Sequence, residues 1–225
     1  MKLEIELGGR RDLKWAQEVV TEDHYLKRPV HPWARPMVYY LCLDRERVGL
    51  IMAGIPHADK CRRWWGYPGL PTQWQVVDLC RIWLDPAIQM GGSLADPRWL
   101  PGFTDRKGKF RPTVASWFIK RVLERIQEDR ISLWPPVYPE QPYHIRLVIS
   151  YHDPAHHKGT IYKASGAEPV YTEEVETPLP GGEVVTTKKP IPGPAGKYCW
   201  AWRLPKPSWC WQDIEIRQPR TLRMF

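Results

Sequence analysis

The chain has 225 residues, 43% of them hydrophobic, enough to bury a sizeable core in one soluble globular domain. Its 33 basic and 25 acidic residues give a net charge of +8, a balance that suits a polyanionic partner. No stretch of apolar residues is long enough to cross a membrane, and the opening MKLEIELGGRRDLKW alternates apolar with charged residues, so neither a span nor a secretory signal is expected.

Lys2 to Leu7 reads as a first strand and Leu13 to Glu22 as a short amphipathic helix. His24-Tyr25-Leu26-Lys27-Arg28-Pro29 follows. Met37 to Cys42 and Val48 to Ala53, separated by Asp44-Arg45-Glu46-Arg47, predict a β-hairpin. Gln75 to Leu84 predicts a longer strand. A loop rich in Gly and Pro occupies 85–111, and the spacing of Val114, Trp117, Phe118, Val122, Leu123 and Ile126 predicts a helix over 113–129. Pro169 to Val175 and Tyr198 to Leu204 predict two more strands. Between them PLPGGEVVTTKKPIPGPAG reads as a loop outside the core, and 205–225 as an irregular tail. The five cysteines (Cys42, Cys61, Cys80, Cys199 and Cys210) are scattered and form no C-x-x-C, which fits reduced thiols in a cytoplasmic protein.

Basic and aromatic residues cluster at Lys27-Arg28, at Lys60-Cys61-Arg62-Arg63-Trp64-Trp65 and at Arg106-Lys107-x-Lys109-x-Arg111. Such mixtures suit nucleic acid, because cations neutralise phosphate while ring faces stack on bases. A solvated turn over packed tryptophans is the competing account.

The densest information lies in Ile145 to Ala167, IRLVISYHDPAHHKGTIYKASGA. Ile145, Leu147, Val148 and Ile149 predict a strand buried in a sheet. It stops at Ser150-Tyr151-His152-Asp153-Pro154, where Asp153 suits a helix cap and Pro154 a first helical position. The helix is expected from Pro154 to Ser165, with Gly166 as its left-handed C-terminal cap.

This order of strand, cap, helix and Tyr-Lys-x-x-Gly resembles the C-terminal motif of the GCN5-related N-acetyltransferase superfamily. The fold implied is α/β, a mixed central sheet flanked by helices, here with a Pro-rich C-terminal extension. The resemblance implies acetyl-CoA as the thioester partner and a helix tyrosine, Tyr162, with its hydroxyl near the coenzyme sulfur. It also implies that the helix start after Arg111, through Thr113, Val114, Ala115 and Ser116, holds the coenzyme pyrophosphate. An unpaired N–H set and a positive dipole end suit that anion. The paired glycines of the family's loop are missing here, and Gly91-Gly92 lies too far away to replace them.

Within the superfamily, His24-Tyr25, Leu79-Cys80-Arg81-Ile82-Trp83-Leu84, Arg111 to Ser116 and Ser150 through Ala164 resemble the Mom family of phage DNA-modification proteins. The likeness covers residues 13 to 204, so 1–204 is expected to form one domain with 205–225 as tail. It departs at the insertion 86–110 and in the Pro-rich C-terminal quarter. Conversion of adenine in DNA to an N6-carbamoylmethyl form that resists restriction is the implied activity. Tyr162 would protonate the departing thiolate, and Ser150 would line the cleft. Asp153 would orient the amine or accept its proton, unless it serves only as the helix cap. His24, Tyr25, Lys27, Arg28, Arg62 and Arg63 are the implied DNA contacts, on duplex or locally unpaired DNA, with Trp33, Trp64 and Trp65 as wedges for an extruded base. Iron is associated with that family, and His24, Tyr25 and Asp153 carry suitable donors. His152, His156 and His157 make no standard metal motif and are expected to be solvated or phosphate-facing. The oligomeric state is left open, a dimer included. An acyltransferase for small amines or proteins and a non-catalytic DNA-binding protein are the alternatives.

Overall fold

A computed structural model describes residues 2–56, 75–89, 113–133, 145–178, 183–193 and 196–204. Its elements are β1 (Leu3–Leu7), α1 (Leu13–Glu22), β2 (Met37–Leu43), β3 (Glu46–Gly54), β4 (Val76–Leu84), α2 (Val114–Leu133), β5 (Leu147–His152), α3 (Thr160–Ala164), β6 (Glu168–Pro169), β7 (Thr172–Pro178), β8 (Val184–Pro190) and β9 (Tyr198–Arg203). Seven strands form one sheet in the order β1-β2-β3-β4-β5-β9-β6, while β7 and β8 make a separate two-stranded ribbon. Every pairing is antiparallel except β4 with β5. The fold is therefore the mixed α/β arrangement that the sequence predicts.

Strand alternation explains the layers. Successive side chains of a strand point to opposite faces, so a strand apolar at every position must be covered on both. In β2, Met37, Tyr39, Leu41 and Leu43 join the core under α2, against Phe118, Ile119, Val122 and Ile126. Val38, Tyr40 and Cys42 join the opposite core under α1, against Ala16 and Val20. Helix α2 also fixes the entry to β5, since the Gln127 side-chain oxygen accepts the Ile145 N–H at 2.8 Å and its amide donates to the Ile145 carbonyl.

Several boundaries differ from expectation. The β2–β3 turn has two central residues, Asp44 and Arg45, with φ of 48° and 77°. Positive φ at both is the type I′ geometry that matches strand twist, and glycine is preferred at the second position. Arg45→Gly is therefore expected to raise stability by about 1 kcal/mol, because a non-glycine residue bears a left-handed penalty there. A thermal melt that does not rise would contradict this reading of the turn. The strand expected over 169–175 is broken at Val170-Tyr171 into β6 and β7. Residues 184–190, read as loop, are strand β8. Its Val-Val-Thr-Thr run has high β propensity, which prevails over the surrounding Pro and Gly. The ribbon nonetheless stays outside the core, with Val184 58% exposed. None of the described helices is long and apolar enough to cross a membrane. Cys42, Cys80 and Cys199 are free thiols. Arg62, Arg63, Trp64, Trp65, Arg111, most of the 86–110 insertion and the 205–225 tail lie outside the described residues.

Candidate active site

The site begins where two strands part. β4 and β5 pair only over Val76↔Leu147, Val77↔Val148 and Asp78↔Ile149. Beyond that point β4 continues along β3, and β5 continues along β9 as far as His152↔Tyr198. A bulge in β4 adds to the divergence: Met52 faces Arg81 and Ala53 faces Leu79, so Cys80 is the extra residue. The Leu79 carbonyl at the fork accepts the Ser150 hydroxyl at 3.1 Å.

Alternation along β5 and β9 selects what faces this fork. Val148, Ser150 and His152 share one side of β5, and their register partners Trp202, Trp200 and Tyr198 share the same side of β9. Helix α3 lays Tyr162 onto this surface. The phenol is buried, with its oxygen 3.5 Å from the Ser150 hydroxyl. Burial pushes the Tyr162 phenol above its ordinary value, while the Ser150 hydrogen bond acts the other way. Tyr162 and Ser150, two of the site residues that the sequence singles out, are thus brought together.

The helix carrying Tyr162 is shorter than expected, which corrects the predicted start at Pro154. Asp153 Oδ1 accepts the Ala155 N–H at 2.9 Å, and its carbonyl accepts the N–H groups of His156 and His157 at 3.0 Å each. This closes a single turn. Gly159 then takes φ +69°, reversing the chain so that α3 starts at Thr160. Asp153 therefore caps a turn and not a helix. At the other end Gly166 has φ +89°, with Ala167 N–H bonding the Tyr162 carbonyl and Gly166 N–H the Lys163 carbonyl. That is a Schellman ending, as the glycine predicts.

The segment after α1 is placed against the same turn. The Tyr25 ring lies 4.4 Å from that of His24, 4.7 Å from His156 and 5.0 Å from His157. His156 and His157 are exposed ring partners of Tyr25 on the isolated turn that Asp153 closes, outside helix α3. His24 is buried, its Nδ1 accepting the Leu26 N–H at 3.2 Å. Burial pushes the His24 imidazole down to about 4, reinforced by Arg81, His157 and Lys197. The unfolded chain then binds more protons than the folded one between about pH 6.5 and 4, so stability falls as pH falls through that window. His24→Asn is expected to flatten the acid side of a melting temperature against pH curve. An unchanged acid limb would contradict the burial of a neutral imidazole.

Three participants escaped the sequence. Arg81 donates to the Cys80 carbonyl at 2.6 Å and the Arg28 carbonyl at 3.3 Å, and its Nε–H is buried with no hydrogen-bond partner among the described residues. Asp78, at the last paired position before the fork, adds a negative charge that raises Tyr162. His152 is buried against Trp200, contrary to the solvated role expected of it. A signal for Asp78 and Arg81 was present in a strand otherwise apolar, QVVDLCRIWL.

The remaining candidates are placed as follows. Thr113 Oγ1 accepts the Ser116 N–H at 3.3 Å, and Ser116 Oγ donates to the Thr113 carbonyl at 2.9 Å, which caps α2. The Val114 and Ala115 N–H groups are not used by this capping, so the first turn suits an anion. Lys27 and Arg28 are exposed, Lys27 donating to the Glu22 carbonyl. The geometry lends the iron donors no support. Asp153 Oδ1 and His24 Nδ1 are committed to backbone N–H groups, and among the described residues no group of three or more His, Cys, Asp or Glu could hold an ion.

No protein-family model and no curated protein matches the chain. Among solved structures it is similar to the ribosomal-protein-S18-alanine N-acetyltransferase from Escherichia coli, at 10% identity over 90% of this chain and 94% of that one, with a TM-score of 0.45. It is similar to an N-acetyltransferase from Staphylococcus aureus Mu50, at 8% identity over 90% and 99%, with a TM-score of 0.45. It is also similar to the aminoglycoside acetyltransferase AAC(6')-Ib in complex with coenzyme A, at 14% identity over 84% and 95%, with a TM-score of 0.40.

Proposed function

We propose that the protein is an acyl-CoA-dependent N-acyltransferase with Tyr162 as its general acid. The observation that carries this reading is the buried Tyr162 hydroxyl beside Ser150 at the fork of β4 and β5. A phenol in an unpolar pocket is fully protonated at neutral pH, the state that an acid needs before reaction. The thioester supplies an activated acyl carbon, and the N-terminal turn of α2, from Thr113 to Ser116, is the part suited to its pyrophosphate. An acceptor amine forms the new N–C bond as the C–S bond breaks. Tyr162 gives its proton to the departing sulfur, and a carboxylate, Asp78 at the fork or Asp153 just past the end of β5, accepts the amine proton. Burial raises the proton affinity of a thiolate as it does that of the phenol, so their matching survives desolvation.

For the acceptor, the exocyclic amine of adenine in DNA is favoured by the charge of +8 and by exposed Lys27 and Arg28, which follow His24-Tyr25-Leu26 along the chain. This keeps the DNA substrate of the Mom resemblance, but acyl transfer gives an N6-acyl adenine in place of the carbamoylmethyl form, and it uses no iron. The test is to express the protein with a plasmid, digest the DNA to nucleosides and look for a modified deoxyadenosine by mass spectrometry. A profile identical to that of a Tyr162→Phe control sinks the DNA reading. Coenzyme A binding by calorimetry then separates an acyltransferase for a small amine or a protein from a DNA-binding protein without catalysis.

A further inference from the structure

We propose that His152 is the positioning residue of Tyr162, its ring held in one tautomer by the Trp200 indole so that the two form the wall against which the phenol lies. This rests on the reading of Tyr162 as the acid of acyl transfer. An indole nitrogen can only donate, and Trp200 Nε1 lies 2.7 Å from His152 Nδ1. The imidazole Nδ1 must then be the acceptor, which puts the proton of the neutral ring on Nε2. His152 is 3% exposed and Trp200 5% exposed, so little water competes for this bond.

The rings make a layered set. His152 lies 5.7 Å from Tyr162 at 20° and 5.0 Å from Tyr198 at 12°, and Trp200 lies 6.0 Å from Tyr162 at 12°. Tyr162 is thus faced by two nearly parallel rings that are bonded to each other. Its backbone is held separately. The Trp202 indole donates to Ser165 Oγ at 3.2 Å, and that hydroxyl donates to the Tyr162 carbonyl at 2.8 Å. Ring and main chain are both restrained, leaving the phenol oxygen, among the described residues, with the long 3.5 Å contact to Ser150. A phenylalanine at 152 would fill similar space without burying a polar bond, so the imidazole–indole pair adds orientation and not bulk.

The test uses the full chain with ¹⁵N-labelled histidine and ¹³C-labelled tyrosine, alongside His152→Phe, Trp200→Phe and the double variant. The wild-type His152 signal is expected to show the Nε2–H tautomer, and Trp200→Phe to release it and shift the Tyr162 ring signal. An Nδ1–H or mixed tautomer in the wild type, or an unmoved Tyr162 signal, overturns the proposal. Release of free thiol from acetyl-CoA is followed with plasmid DNA or spermidine as acceptor. Each variant is expected to lose about 10- to 100-fold in kcat with KM for acetyl-CoA unchanged, the size of a small misplacement of a reacting group. The double variant removes the unpaired indole and should regain thermal stability while kcat stays low; recovery of kcat overturns the proposal. A wild type that releases no thiol with any acceptor defeats the acyl-transfer reading instead, and the tautomer and ring signals still decide whether His152 orients Tyr162.

Discussion

Tyr162→Phe is expected to lower acyl transfer by about 10²- to 10⁴-fold while leaving the melting temperature nearly unchanged. The two halves of that expectation have different causes. The phenol ring carries the packing, with neighbours His152, Trp200 and Trp202, and phenylalanine keeps it. Among the described residues the hydroxyl contributes one long contact, and Ser150 retains the Leu79 carbonyl as a partner at 3.1 Å, so its loss strands no buried donor there. What disappears is the proton for the leaving sulfur. Free thiol release at saturating acetyl-CoA measures the first half and a thermal melt the second. Full turnover in the variant would remove Tyr162 from the mechanism, and a collapse of the fold would show that its oxygen is structural.

Gly159→Ala reverses that pattern, with a large effect on stability and an effect on activity through the displaced His152 ring. A Cβ at Gly159 would lie 2.7 Å from His152 Cε1 and 3.0 Å from the Trp200 ring, and the residue has φ +69°. The left-handed conformation costs a non-glycine residue roughly 1–2 kcal/mol. Overpacking against a ring fixed by a hydrogen bond adds about 1–3 kcal/mol. A combined loss of about 2–5 kcal/mol is a large part of the 5–15 kcal/mol typical of a whole domain. Gly166→Ala is the control. Its φ is +89° but nothing lies within 4 Å of an added Cβ, so only the backbone penalty applies. Equal melting temperatures for the two variants would contradict the contact with His152 and Trp200.

Patterns confined to one element were readable in the sequence. The limits of α1 at Leu13 and Glu22 coincide with expectation, because a helical period over ten residues is a local property. Gly166 was legible for the same reason, since only its own φ and the preceding turn are involved. Asp153 shows the limit of such reasoning. Asp-Pro is an equally good start for a helix and for an isolated turn, and the outcome depended on Gly159, six residues later. Ser150 and Tyr162 were each singled out from the strand-helix order, but their contact was not, and His152 was misread. Its partner Trp200 is 48 residues away, and a histidine at a strand exit gives no local sign that an indole will meet it. Asp78 and Arg81 were hidden differently, as polar residues in a strand read for its apolar pattern, and their meaning emerged only when β4 and β5 were seen to diverge.

The placement of β9 has a consequence for the order of assembly. It lies between β5 and β6 in the sheet although the whole ribbon separates it from both along the chain. The hairpin β2–β3 closes over two residues, whereas Ser150 meets Trp200 only after a long loop has closed. Local contacts form sooner than distant ones, so the antiparallel arm is expected to precede the Trp200 and Trp202 wall in folding. The same inequality governs opening. Partial unfolding that frees β9 would expose Tyr162 and release His152 while β1 to β3 stay paired, which silences the chemistry with most of the molecule still folded.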